Sequence, residues 1–597
     1  MATLQDIVMP MGFRNKNCVS WRENRIKYNI SYPQMFELTV NFSKGLHELD
    51  LMPGDRVGVY VKQHPKAIPV ILGTDNAGLQ DMPKDLSSTE EARKIIEHSD
   101  PNIVIVENRA VLEMVQPHYP KDRIFSIEPI DGIRSVDEIF AMGAKSHATI
   151  PKVDENDIAS IIYTSGTTGE PKGVMLTHGN YMSNYESVQR RIPLSSNDKF
   201  VSAMPIFHVY PRVVIMDALI LGAETYGIIN LKTAPEEIKL ESPTVFPSVP
   251  RVWDNSKKRF NEVIRERGAH FKELLKKAHI DLEKYMHGET DPKKFAEIGI
   301  NLDIQNMLSG NHSFKAWMIH EALDKVIYSS IRENYGGRLR DVISGGSAMS
   351  EHLILFYMIS GFNFYQGYGL TETAPILAGG LQDVHNLSAV GPPLDNVLLD
   401  IRDNSGHRCM PGIDGKIFAK GPNIMLGYYK NPELTSQTIE NGWLDTGDIG
   451  NLINNILTIT GREYDDFKLG NGEKVHPREY ESLAEDYEEI EAAVLVGKDW
   501  KSPAMLIYPN MSELKFMARR LGIRYNEESE LLLDPRIQTV YKWIIDKIND
   551  RKEIRYKIHD FRLIPEIIIT PTQKVQRGKL LEKYSAEISE LSEAINK

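Results

Sequence analysis

The sequence predicts an α/β protein. A large multi-layer N-terminal domain would be built on parallel sheets and carry a small β subdomain, and a small α+β C-terminal domain would follow. Three observations predict this. Short β-branched runs alternate with helical periods through the first two thirds of the chain. From Val397 to Arg462 the texture changes to short strands separated by tight turns. Beyond Arg462 lie about 135 residues of mixed strands and helices, the size of one small domain. Strands that alternate with helices build parallel sheets covered on their faces.

Each element has its own signal. RVGVYV (Arg56–Val61) and NIVIVEN (Asn102–Asn108) are strand-like and bracket SSTEEARKIIEHS. That segment opens with Ser-Ser-Thr-Glu capping chemistry and continues at helical spacing. IASIIYT is a buried-strand pattern, followed by a helix-like segment past His178 and by KFVSAM. DVISGG and FNFYQGYG mark two further strand-to-loop transitions. Residues 253–335 read as a helical insertion, with Phe260, Val263, Ile264, Phe271, Leu274, Leu275 and Ala278 on one stripe. An amphipathic helix packed on the main domain explains that stripe better than a basic membrane-facing or partner helix. KIFAKG, NIMLGYY and ILTITGR follow, with Asn454–Asn455 suited to a hairpin turn. AAVLVG and AMLIYPN are the strands of the last part. The expected domains are residues 1–464 and 465–597.

Composition narrows the function. Of 597 residues, 41% are hydrophobic and 25% charged, as in a globular protein with large cores. A formal net charge of −12 argues against binding nucleic acid by neutralising its phosphates. Cys18 and Cys409 alone make neither a disulfide framework nor a thiolate zinc site, and point to a reducing compartment. The N-terminus lacks the pattern of a signal peptide. Val213–Ala223 is too short for a membrane span and is interrupted by Asp217. A cytoplasmic location is the expectation. Peripheral contact with the inner face of a membrane is compatible with these features but has no sequence signature.

The stretch YTSGTTGEPKG (Tyr163–Gly173) carries the clearest chemistry. Glycines let backbone N–H groups approach a phosphate, Ser and Thr add hydroxyl donors, and Lys172 adds a positive charge. The loop of P-loop NTPases requires GxxxxGK[ST]. Counted from Gly166, Pro171 stands where the second glycine belongs and Gly173 where the Ser/Thr belongs. That reading fails at two positions.

TSGTTGEPKG resembles the phosphate-loop signature of the adenylate-forming, or acyl-activating, superfamily. Further segments resemble its other motifs in the family's order: MPIFHVY (Met204–Tyr210), SGGSAMS (Ser344–Ser350), GYGLTETAP (Gly367–Pro375), GWLDTGD (Gly442–Asp448) and GREYDDFKLGNGEKVHP (Gly461–Pro477). TPTQK (Thr570–Lys574) is similar to the terminal lysine motif of the long-chain acyl-CoA synthetase branch, as are SVPRVWDNSKKRF and VGPPLDNV to other parts of that branch. The resemblance covers nearly the whole chain.

The resemblance implies a two-step reaction. A carboxylate attacks the α-phosphate of ATP to give acyl-adenylate and pyrophosphate, and a thiol, usually that of CoA, then displaces AMP. It implies that Thr164, Ser165, Gly166, Thr167, Thr168 and Gly169 hold the β- and γ-phosphates, with Lys172 neutralising charge nearby. Thr371 and Glu372 would lie at the α-phosphate, and Glu372 would contact Mg²⁺. Gly345 and Gly346 would let the backbone approach adenine, with Tyr368 and Gly369 beside it. His208 would line the pocket, or else be a hydrogen-bonded core histidine. Asp448, as an unpaired carboxylate beside a Thr-Gly turn, would accept from ribose hydroxyls. Arg462 would contact ribose or phosphate, and Lys468 would belong to the hinge of the mobile small domain. Lys574 would stabilise the adenylation transition state.

Two departures qualify the pattern. Tyr464 replaces the lysine of the usual Gly-Arg-x-Lys hinge, while Asp465 keeps its acidic position. The run TPTQKVQRGK also holds Lys579, which competes with Lys574; the TPT element favours Lys574. The implied activity is ATP- and Mg²⁺-dependent ligation of a fatty acid to CoA. Delivery of the acyl group to an acyl carrier protein or another thiol is the first alternative. A non-catalytic nucleotide- or lipid-binding relative is the second.

Overall fold

The structure is a computed structural model. It describes residues 2–165, 171–278, 280, 292–463, 465–552, 554–569 and 575–596. The expected phosphate-loop residues Gly166, Thr167, Thr168 and Gly169, the hinge residue Tyr464 and Lys574 lie outside the described residues.

The chain divides into two compact units. The first comprises Met1–Ser347, Leu355–Leu399 and Ala419–Leu444; the second comprises Ala348–Ile354, Asp400–Phe418 and Asp445–Lys597. Mixed α/β architecture with parallel sheets in the larger unit agrees with the sequence reading.

Among its described residues, the first unit holds two eight-stranded sheets. In one, the strands Lys199–Ser202, Val245–Ser248, Asp341–Gly345 and Asn363–Gly369 lie side by side and parallel. Apart from the half-buried Ile343, their β-branched and aromatic residues are buried on both faces, as a parallel sheet requires. Ile376–Leu381 closes one edge, antiparallel to Asn363–Gly369. In the second sheet, Arg56–Tyr60 pairs in parallel with Gln80–Pro83 and Ile103–Val106. The helix Thr89–Ser99 connects the last two, and Ser88 Oγ accepts from Glu91 N–H at 3.1 Å, as the capping pattern predicts.

One buried ionic cluster ties elements of this unit together. The Arg212 guanidinium, on the helix Val209–Leu221, donates to both carboxylate oxygens of Asp81 and to Ser160 Oγ. It also lies over the Tyr181 ring, 5.6 Å from the centroid. Burial, followed by the neighbouring charge of Asp81, pushes the Asp75 carboxyl well above the usual range. Asp217, which interrupts the apolar run of the same helix, is buried rather than exposed.

The insertion is helical as expected. Pro250–Lys277 packs lengthwise against Pro292–Leu308, with Phe271 and Phe295 in ring contact at 5.7 Å. No helix among the described residues is long and apolar enough to cross a membrane.

In the second unit, Trp443–Ile453 enters at Asp445 and pairs antiparallel with Ile456–Arg462. The connecting turn has φ of +50° at Asn454 and +62° at Asn455, the left-handed pair a two-residue hairpin needs. A three-stranded sheet of Ile490–Val496, Ala504–Pro509 and Asp560–Leu563 carries its own core with the helix Pro535–Asn549.

Candidate active site

The sequence-predicted residues of the first unit gather at strand ends. Gly345 ends Asp341–Gly345, and Gly346 adopts φ +93°, so the chain leaves the sheet sharply there. Tyr368 and Gly369 end the neighbouring parallel strand, and Thr371 and Glu372 form the short 3-10 turn beyond it. His208 follows Lys199–Ser202 on the same sheet and directly precedes the helix Val209–Leu221; its ring lies 4.2 Å from that of Phe207, tilted by 43°. These positions share the carboxyl edge of a parallel sheet, where α/β folds place ligands.

Close packing fixes the turn. A Cβ on Gly369 would sit 1.7 Å from the Pro375 carbonyl oxygen, so no larger residue fits. Thr373 Oγ1 accepts from Leu370 N–H at 3.0 Å. Ala374 stands at φ +58°, a left-handed conformation that costs about 1–2 kcal/mol outside glycine. Asn184 Nδ2 donates to the Thr373 and Ile376 carbonyls, and its Oδ1 accepts from Ile376 N–H at 3.0 Å.

The expected phosphate loop joins two antiparallel strands, Ile158–Ser165 and Pro171–Thr177, with Thr164 opposite Lys172. The sequence reading assigns no strand to Pro171–Thr177 and so misses this return strand. The helix past His178 is present as expected, spanning His178–Arg191 and capped by Thr177 Oγ1, which accepts from Asn180 N–H at 3.1 Å.

One segment that sequence reasoning assigned only as a strand links the hairpin to the turn. Of NIMLGYY (Asn423–Tyr429), only Gly427–Tyr428 forms a strand, antiparallel to Val174 and Met175. Leu426 N–H donates to Met175 O at 3.0 Å and Tyr429 N–H to Gly173 O at 2.7 Å. Asn180 Nδ2 reaches Pro422 O at 2.8 Å and Ile424 O at 2.9 Å. On the other side, Asn423 Nδ2 donates to Thr373 O and Ile376 O, both at 3.0 Å. Met425 N–H donates to Glu372 O at 2.9 Å, and the Tyr428 hydroxyl donates to Glu372 Oε1 at 2.9 Å. The signal in the sequence was a polar residue, Asn423, at the head of an apolar run; its partners are remote in sequence and leave no periodic trace.

Asp448, Arg462 and Lys468 belong to the second unit. The expectation of an unpaired Asp448 is corrected. Arg462 Nε donates to Asp448 Oδ1 at 3.0 Å, because the hairpin register sets the two residues opposite each other. Lys468 is exposed on the two-stranded ribbon with Lys474. Lys579 is exposed on the helix Arg577–Lys583.

No group of three or more His, Cys, Asp or Glu side chains among the described residues forms a protein-only metal cage. The donor set at the turn is a single carboxylate, Glu372. That set fits a hard cation that takes most of its ligands from phosphate oxygens and water.

The chain is similar in sequence to known ligases. It is 26% identical over 612 residues to a chloroplastic long-chain fatty acid–[acyl-carrier-protein] ligase of Arabidopsis thaliana, covering 94% of this chain and 82% of the relative. It is 26% identical to long chain acyl-CoA synthetase 3 of the same plant, covering 94% and 86%. With long-chain fatty acid–CoA ligase 1 of Cavia porcellus it shares 27% identity, covering 74% and 62%. Among solved structures, its fold is similar to that of the anthranilate CoA ligase AuaEII in complex with anthranoyl-AMP, at TM-score 0.74 and 18% identity over 98% of each chain. ATP-bound MatB from Rhodopseudomonas palustris superposes at TM-score 0.70 and 20% identity, covering 98% of this chain and all of that one. Residues 11–429 match the AMP-binding enzyme family and residues 465–596 the AMP-binding enzyme C-terminal domain. On that match, which takes in most of the sequence, the chain belongs to the AMP-binding enzymes, an adenylate-forming, acyl-activating family of ligases.

Proposed function

We propose that the protein is an ATP-dependent fatty acid–CoA ligase with a long-chain substrate. A fatty-acid carboxylate oxygen attacks the α-phosphorus of ATP, the bond to the β-phosphate breaks, and pyrophosphate leaves. The CoA sulfur then attacks the acyl carbonyl, its proton goes to solvent, and AMP departs. The substrate supplies the first nucleophile, so no side-chain nucleophile is required.

The observation that carries this reading is the placement of Thr371 and Glu372 at the carboxyl edge of the parallel sheet, hydrogen-bonded through Asn423–Tyr429 to the strand after the expected phosphate loop. In this reading Thr164, Ser165, residues 166–169 and Lys172 bind the leaving phosphates. Thr371 and Glu372 flank the α-phosphate. Gly345 and Gly346 let the backbone approach the nucleotide, Tyr368 and Gly369 lie beside it, and His208 lines the pocket. Asp448 and Arg462 bind ribose or phosphate, Lys468 serves the hinge, and Lys574 meets the reacting anions. Mg²⁺, held by Glu372 together with substrate phosphates, would supply neutralising charge where two anions meet. The domain boundary falls at about residue 464, with the smaller C-terminal domain moving between half-reactions.

Similarity to the Arabidopsis acyl-carrier-protein ligase favours a carrier protein as the second candidate acceptor. ATP–pyrophosphate exchange with acids of different length tests the first step. Exchange that rises with long-chain acids supports the reading, and no exchange with any carboxylate at saturating Mg-ATP refutes it. AMP release with CoA against holo-carrier protein then separates the acceptors.

A further inference from the structure

We propose that Tyr428 is a positioning residue for the Glu372 carboxylate: its hydroxyl holds Oε1 and so directs the rest of the carboxylate toward the metal–nucleotide complex. The inference rests on the reading of Glu372 as a Mg²⁺ ligand.

Four observations carry it. The Tyr428 hydroxyl donates to Glu372 Oε1 at 2.9 Å. The tyrosine is itself 7% exposed, within the core of the larger unit. Its backbone is fixed on two sides. Tyr428 pairs with Val174 in the strand after the phosphate loop, and its N–H donates to Thr435 Oγ1 at 2.9 Å. The preceding Gly427 stands at φ +148°, where a Cβ would come 2.7 Å from Thr435. The phenol oxygen therefore has a set position relative to the phosphate hairpin.

The chemistry of the donor matters. A lysine or arginine at this place would pair with Glu372 and cancel the charge a cation needs. Among the described residues, no such ion pair to Glu372 is formed. A phenol donates one hydrogen bond and leaves the carboxylate negative. Groups that orient a ligating carboxylate in this way are worth about 10–100-fold in metal affinity. Met425 N–H on the Glu372 carbonyl adds a backbone anchor from the same segment, so the main chain and the side chain of Glu372 are held together.

The test is nucleotide binding by calorimetry on the full chain, with Mg-ATP and with ATP in EDTA. Wild type, Tyr428→Phe and Glu372→Gln are compared, and thermal unfolding verifies that each is folded. Phenylalanine keeps the ring, so the core packing survives. Tyr428→Phe is expected to weaken Mg-ATP binding about tenfold or more, to raise the Mg²⁺ concentration at half-saturation, and to leave metal-free ATP binding within about twofold. If Glu372→Gln loses Mg²⁺ selectivity and Tyr428→Phe does not, the positioning role is wrong and the reading of Glu372 stands. Equal weakening with and without metal would also overturn it, by showing a general effect on the nucleotide pocket. If Glu372→Gln itself keeps full Mg²⁺ selectivity, the reading of Glu372 fails and takes the inference with it.

Discussion

Arg462 reaches directly across its hairpin to Asp448, Nε to Oδ1 at 3.0 Å, with the carboxylate buried and the guanidinium more than half exposed. The arginine thus orients a carboxylate that is shielded from water. A shielded acceptor is worth more to an incoming hydroxyl than one competing with solvent, about 1.5–3 kcal/mol for a charged partner. Asp448→Asn is therefore expected to raise the ATP KM in pyrophosphate exchange by roughly 10–100-fold. Arg462→Ala leaves the buried carboxylate in place and removes the more exposed of the two contacts, so it should cost several-fold less. An arginine variant more damaged than the aspartate variant would make Arg462 the principal nucleotide contact.

The two glycines of Gly367-Tyr368-Gly369 separate folding from binding. A Cβ on Gly369 meets the Pro375 carbonyl oxygen at 1.7 Å, whereas a Cβ on Gly367 meets nothing within 4 Å. Gly369→Ala must displace the Thr371–Glu372 turn. Its expected outcome is loss of exchange activity together with a lowered Tm. Gly367→Ala should keep the wild-type Tm. If it nevertheless raises the ATP KM, the open space at Gly367 is where the nucleotide lies; an unchanged KM would place the nucleotide elsewhere.

The sequence made some of this legible and hid the rest, for physical reasons. Strands such as Ile103–Val106 and the hairpin turn Asn454–Asn455 follow from local rules, because β-branched runs and paired left-handed asparagines act within a few residues. The motif order singled out Glu372, Asp448 and Arg462 as candidates. It did not show that Asp448 is paired, because Asp448 and Arg462 meet only through a hairpin register. It also missed the strand Pro171–Thr177, whose partners lie on both sides of it and whose opening Pro-Lys-Gly reads as a turn. Tyr428 was hidden for the same reason: its hydrogen bond spans 56 residues of sequence and has no period.

In the second unit, Asp466 and His476 form a contact whose strength is expected to vary with pH. Asp466 Oδ2 lies 2.8 Å from Lys474 Nζ and 3.0 Å from His476 Nδ1. The close Asp466 carboxylate raises the His476 pKa above its ordinary 6.5, partly offset by burial, with Glu479 also adding to it. The imidazole thus binds its proton more tightly folded than unfolded. The resulting stabilisation is fully present below the unfolded value and is lost as pH rises through the folded value. His476→Gln removes it. The Tm gap between wild type and this variant is expected to be larger at pH 5.5 than at pH 8.5, by differential scanning. A gap of equal size at both pH values would mean that His476 titrates no differently in the folded chain.

Lys574 and Lys579 compete for the role of the cation that meets the reacting anions. On either side of residues 570–574, Ile569 forms a bridge with Val575, and Gln576 N–H donates to Ile568 O at 2.8 Å. Lys579 lies on the following helix, Arg577–Lys583. That helix is fixed to its own unit by Arg577, which pairs with Glu481 and donates to the Leu495 carbonyl, and by the fully buried Leu580. Lys579 is thus tied to the helix surface, and the Thr-Pro-Thr element just before Lys574 favours Lys574 for the role. One preorganised donor to a charge that develops in the transition state is worth about 3–4 kcal/mol, or roughly 10²–10³ in rate. Lys574→Ala is therefore expected to cut ATP–pyrophosphate exchange by that factor, with ATP binding by calorimetry changed far less, while Lys579→Ala stays within about twofold of wild type. The opposite pattern would assign the role to Lys579. Full exchange in both variants would remove a C-terminal lysine from the mechanism and leave the charge of the first step to Lys172 and the metal.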